Sequence, residues 1–177
     1  MFSAPRFFAS LSPRATFYSP LVFYVIICVT ELLVNTVWMT ILRGAMADSS
    51  DPQLTELLSM LAPQGNILLT IFLQTALSVF KLYVLSALFF CIFQLIIPKK
   101  NNFTLIYQVV AYSVAPSLLC IVPIAGSLAG ILWSIACLAI GLRTALRVSW
   151  MQTVVAFLPI IFLFAASMRY IASIGQM

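Results

Sequence analysis

Glu31 and Lys81 are two ionisable residues that fall deep inside long apolar runs of this 177-residue chain. A charge at the centre of a membrane helix costs about 2.5–3.5 kcal/mol on insertion scales, so each needs a partner or must neutralise. Counted from the same side of a bilayer, both fall near the midplane, and sequential spans usually lie side by side. The two are therefore expected to pair. Such a pair can serve as a proton or ion relay, or as a substrate counter-charge. It can equally be a structural ion pair that sets the register of two helices. Asn35, one turn from Glu31, and Gln74, two turns from Lys81, either extend this polar seam or act as ordinary interhelical hydrogen-bond donors.

A second constellation is Gly126-Ser127-Leu128-Ala129-Gly130, a GxxxG pattern extended by Ser134 one turn on. Small residues in a stripe let helix backbones approach closely in lipid, where no hydrophobic drive brings helices together. Another span of the same chain is the expected partner, with a second protomer as the alternative. Pro116, inside a third apolar run, must interrupt its hydrogen-bond ladder and free backbone carbonyls. Tyr112, Ser113 and Ser117 are placed to satisfy them. A broken helix at membrane depth can line a transport site, or it can simply be a proline kink.

Enzymatic chemistry is poorly provided for. The chain has no histidine, which removes Ser–His and Cys–His dyads and the H-E-x-x-H metalloprotease pattern. Both aspartates, Asp48 and Asp51, lie in one polar loop, and neither G-x-S-x-G nor a P-loop occurs. Ser–Lys chemistry has only the proximity of Ser78 and Ser86 to Lys81 behind it. Cys28, Cys91, Cys120 and Cys137 stand singly in apolar runs, without the clustering that a disulfide or metal site requires. No catalytic residue, metal or cofactor is expected.

The elements that must position these residues follow from composition. With 63% hydrophobic and 7% charged residues, the chain cannot clothe a water-soluble core in polar surface. Its apolar runs do not alternate with period two, so helices are predicted rather than a barrel. Five spans are expected, over about residues 20–42, 67–97, 103–122, 124–142 and 150–171. The first is too long for the apolar core of a signal peptide. Residues 1–19 form an amphipathic segment: Phe7, Phe8 and Leu11 recur at helical spacing between Pro5 and Pro13, flanked by Arg6 and Arg14. A short interfacial helix would look like this, and so would a tail resting on headgroups. The loop 43–66 contains a helix-start signature at Ser50, followed by Leu54, Leu57, Leu58 and Leu61 along one face, which predicts a second interfacial helix.

If the spans alternate, Arg6, Arg14, Lys99, Lys100, Arg143 and Arg147 share one side, whereas Arg43, Arg169 and the acidic loop share the other. The positive-inside rule then puts the amino terminus in the cytoplasm and the carboxyl terminus outside. The net charge of +5 reads as orientation, not as nucleic-acid binding. Asn102-Phe103-Thr104 matches a glycosylation sequon, but on this topology it faces the cytoplasm.

The stretch Ala111-Tyr112-Ser113-Val114-Ala115-Pro116, followed by Pro123, Gly126, Trp133 and Gly141-Leu142-Arg143, resembles the core pattern of the Yip family of integral membrane proteins. The opening, with Pro5, Phe7 and Phe8 ahead of a span led by Pro20, is similar too. The resemblance covers nearly the whole chain and implies a five-span domain (residues 20–173) with a cytoplasmic amino terminus. Eukaryotic members are linked to Rab-type GTPases and to traffic at Golgi and endoplasmic-reticulum membranes, through a long soluble amino-terminal region. Only residues 1–19 precede the first span here, so a GTPase partner is not expected. The short form looks like a bacterial cytoplasmic (inner) membrane member. The expected protein is an all-α polytopic bundle acting as a non-enzymatic scaffold or adaptor for other membrane proteins. A small permease or transporter subunit using Glu31 and Lys81 is the alternative.

Overall fold

Every described element is helical, as a chain surrounded by hydrocarbon requires, because only internal pairing can satisfy the backbone there. The computed structural model describes residues 4–12, 16–46, 67–97, 102–123 and 125–174. The interfacial helix expected around Leu54–Leu61 and the basic residues Arg14, Lys99 and Lys100 lie outside these. The elements are α1 (Ala4–Ala9), α2 (Tyr18–Met46), α3 (Ile67–Ile96), α4 (Phe103–Tyr112), a 3-10 segment (Ala115–Ile121), α5 (Ala125–Leu146) and α6 (Trp150–Ile174). Four stretches are long and apolar enough to cross a bilayer, namely Tyr18–Leu42, Leu68–Ile96, Phe103–Ile121 and Ala125–Leu146. In α6 the described apolar stretch is shorter, Trp150–Phe162.

Helix α4 is the hub. Ile106 through Ala111 are all buried, and α4 packs against α2, α3 and α5. Its amino end is fixed locally: the Asn102 side chain caps the helix by accepting from the Thr104 amide at 2.9 Å, which satisfies one of the orphan N–H groups there. The sequon asparagine is thus engaged as a helix cap. Around α4 the core is aromatic. Phe90 meets Phe103 edge-on at 5.7 Å, Tyr83 lies 5.3 Å from Tyr107, and Phe89 joins α3 to Phe157 of α6 at 5.2 Å. Side chains on the outer faces are large and apolar, such as Phe72, Leu95 and Phe162. In water such a surface would drive association; in a bilayer it is the solvent-facing side.

The third crossing departs from the kinked helix expected at Pro116. α4 stops at Tyr112, Ser113 and Val114 form a turn, and the chain resumes as a 3-10 segment with Pro116 in its first turn. Proline has no N–H and its ring clashes with the carbonyl four residues back, which here is Tyr112. The tighter i→i+3 pattern avoids both problems: the Ser117 amide donates to Val114 at 2.9 Å and the Val122 amide to Leu119 at 3.0 Å. Ser113 supports the break by donating its hydroxyl to the Val110 carbonyl at 2.8 Å. Proline also occurs at Pro159, inside α6, where the helix continues through it.

Candidate functional site

The seam between α2 and α3 is set by polar groups. The Tyr24 hydroxyl donates to the Ser78 carbonyl at 3.2 Å, and Cys28, one turn further along α2, is buried. Glu31 is half-buried on α2 and Lys81 is exposed on α3. Both lie within electrostatic reach of the Cys28 thiol, and Glu31 also reaches Cys120 on the 3-10 segment. The two charges therefore share one seam, but among the described residues no ion pair joins them. Asn35 and Gln74 are both exposed. Ser86, a neighbour that left Ser–Lys chemistry open, is buried and donates its hydroxyl to the Leu82 carbonyl at 2.7 Å. That bond is the ordinary use of a serine inside a helix.

The small-residue stripe has its partner within the chain. A Cβ on Gly126 would collide with the Leu119 carbonyl, and one on Gly130 would sit 2.9 Å from the Pro116 oxygen and 3.3 Å from the Ser117 Cα. α5 therefore lies directly on the 3-10 segment, backbone against backbone. Ser117 and Ser134 are enclosed there with hydroxyl oxygens that have no hydrogen-bond partner. From the other flank, the Trp38 indole N–H of α2 donates to the Ile121 carbonyl at 3.1 Å, closing one carbonyl at the end of the segment. Pro123 is exposed in the turn before α5, and Trp133 is 64% exposed on its outer face. This tryptophan does not pack inside the bundle.

At the opposite end of α5, Gly141 admits α1. A Cβ there would fall 2.7 Å from Val109 Cγ1 and 3.1 Å from the Phe8 ring, and Phe8 is buried. Phe7 meets Tyr112 edge-on at 5.4 Å, Phe23 approaches the same ring at 5.1 Å, and the Ser19 and Tyr112 hydroxyls are 3.4 Å apart. The Gln108 amide donates to the Ser12 carbonyl at 3.1 Å from a buried position. Within residues 1–19, α1 is a short helix that seats Phe8 on protein and leaves Phe7 half-exposed. Sequence reasoning missed Gln108 and Trp38 as anchors. A glutamine within a buried apolar run is a visible signal for the first; nothing in the sequence singles out the second.

Taken together, these features define a polytopic α-helical membrane protein whose third crossing is broken and whose amino-terminal segment docks on the bundle. Tyr112, Pro116, Gly126 and Gly141 occupy its three structural joints. The chain belongs to the Yip1 domain family, whose model matches residues 1–169. No curated protein and no solved structure matches it significantly.

Proposed function

We propose that this protein is a non-enzymatic scaffold or adaptor that organises other membrane proteins, in membrane organisation or trafficking-like processes. The observation that carries this reading is how its polar groups are used. Tyr24, Trp38, Ser86, Gln108 and Ser113 all donate to backbone carbonyls of the bundle itself, so these polar side chains maintain architecture. Among the described residues no group of three or more His, Cys, Asp or Glu side chains could hold a metal. What the bundle offers to others is its apolar exterior, above all the α5 face of Leu128, Ile131, Leu132 and Trp133. Partners are other membrane proteins embedded in the same bilayer, and the membrane we favour is a bacterial cytoplasmic one; in a eukaryote it would be Golgi or endoplasmic reticulum. A photocrosslinking residue at Trp133, in native membranes, tests this. A discrete protein adduct supports the scaffold, and lipid adducts alone refute it.

A second reading has one specific observation in its favour. Glu31 has no ion-pair partner among the described residues, and its helix α2 packs on the 3-10 segment, where the Ser117 hydroxyl has no hydrogen-bond partner. A small permease using Glu31 and Lys81 would need such a place. Reconstituted protein should then move protons or a solute in liposomes, and Glu31→Gln should abolish the flux.

A further inference from the structure

The turn joining α5 to α6 carries a conformation that its geometry alone does not ask of an arginine. α5 closes with the Val148 amide donating to the Arg143 carbonyl at 3.1 Å, the six-to-one bond of a Schellman ending. The residue that makes this closure possible is Arg147, with φ at 52°. Glycine is favoured there because a Cβ crowds the backbone in the left-handed region. A glycine would form the same ending with less strain, so the closure does not account for the guanidinium. Strain of this kind in a non-glycine residue points towards a role for its side chain.

Arg143, one turn earlier, is held in place: its guanidinium carbon lies 4.6 Å from the centre of the Trp150 ring. A guanidinium stacked on an indole keeps its N–H edges free to meet an anion. Both arginines are exposed, while Leu146 and Val148 beneath them are buried and anchor the turn. Three of the four carboxylates of the chain, Asp48, Asp51 and Glu56, belong to the segment between α2 and α3, and the fourth is Glu31. No ion pair engages either arginine among the described residues. Arg6 joins the same end, exposed on α1 while Phe8 of that helix sits against Gly141.

We propose that Arg143 and Arg147, with Arg6 beside them, form a binding site for the phosphate of an anionic phospholipid. Guanidinium forks suit phosphate oxygens, which they can bind in bidentate fashion. The ligand is a lipid and not a soluble anion because of what adjoins the arginines. Trp150 and Met151 are exposed at the start of α6, and Val154, Val155 and Leu158 continue this apolar surface into the span. Trp150 stands where tryptophans gather, at the headgroup level. A headgroup on the arginines would lay its acyl chains along α6.

The test uses the full chain purified in detergent with phosphatidylcholine, to which phosphatidylglycerol is added. Phosphatidylglycerol should raise the melting temperature of the wild type above the phosphatidylcholine value. Arg147→Gly should melt at the same or a higher temperature without the anionic lipid, yet bind it about fivefold more weakly, as expected for one basic residue near a charged surface. Arg143→Gln should weaken binding similarly; if it loses its fold with the Trp150 stack, Arg143→Lys keeps the charge and should retain part of the affinity. Arg169→Gln, near the other end of α6, should bind as the wild type does. Unchanged phosphatidylglycerol affinity in Arg147→Gly would overturn the site, as would a wild type with no preference for the anionic lipid. A melting temperature of Arg147→Gly below that of the wild type in phosphatidylcholine would show that the residue serves the fold instead. An equal shift with glycerol 3-phosphate would make the ligand a soluble anion and overturn the lipid assignment.

Discussion

Replacing Gly126 by alanine puts the joint between α5 and the broken third crossing under direct load. The added methyl would meet the Leu119 carbonyl oxygen, with the Leu119 carbon at 2.9 Å and Val122 Cβ at 3.0 Å. A backbone carbonyl inside a hydrogen-bonded turn cannot rotate aside, so the two segments must separate. Overpacking of a close-packed interface costs about 1–3 kcal/mol. Against this stands the better helix propensity of alanine, worth up to about 1 kcal/mol in a helix interior and less in the first turn, where Gly126 lies. A net loss of about 2 kcal/mol is expected. Gly44 is the internal control, because it lies in α2 with nothing within 4 Å of the position its Cβ would take. Gly44→Ala, in the last turn of α2, should gain up to about 0.5 kcal/mol from propensity alone. Unfolding of purified protein by sodium dodecyl sulfate in mixed micelles, followed by circular dichroism, measures both. If Gly126→Ala is as stable as Gly44→Ala, the backbone contact is not what holds these segments together.

Other expectations follow from the same contacts. Phe8→Ala should release α1 from its seat beside Gly141, with a loss of about 3 kcal/mol for this buried ring; faster tryptic cleavage at Arg6 reports it, and an unchanged cleavage rate argues against docking. Trp38→Phe leaves the Ile121 carbonyl without its indole donor and should cost about 1 kcal/mol in the same unfolding assay; a neutral substitution would mean that the bond adds nothing to stability. For the shared seam, a cycle of Glu31→Gln and Lys81→Met should give a coupling of about 1 kcal/mol or less, as for charges near one another but not touching. A substantially larger coupling would mean that they close into an ion pair in the bilayer. Reporter fusions at the two termini should place the amino end in the cytoplasm and the carboxyl end across the membrane; the same side for both would exclude an odd number of crossings.

The spans were legible because runs of apolar residues leave lipid as the only solvent that fits, and hydropathy needs no knowledge of partners. Pro116 likewise announced an interruption, since a missing N–H is a local fact. What followed the interruption was not local: a kink and a 3-10 segment both answer the clash with Tyr112, and Gly126 and Gly130 decide by letting α5 close onto the backbone. The intrachain use of that stripe was the expectation, with a second protomer as the alternative. The docking of α1 could not be read, because Phe8 finds its place only when Gly141, far along the chain, leaves room for its ring. For Glu31 and Lys81, counting residues estimates depth but not angular phase, and phase leaves Lys81 exposed and Glu31 half-buried. The strained Arg147 was invisible for a similar reason: its sequence reads as one more basic residue at a span end.

The fate of the small-residue stripe constrains stoichiometry. Gly126 and Gly130 are covered by the chain's own third crossing, so a second copy has no access to them. Any self-association must instead use surfaces crowded with leucine, phenylalanine and tryptophan, where helix axes stay further apart. Loss of oligomers in a glycine substitution would then record a protomer that has come undone, and says nothing about where copies meet.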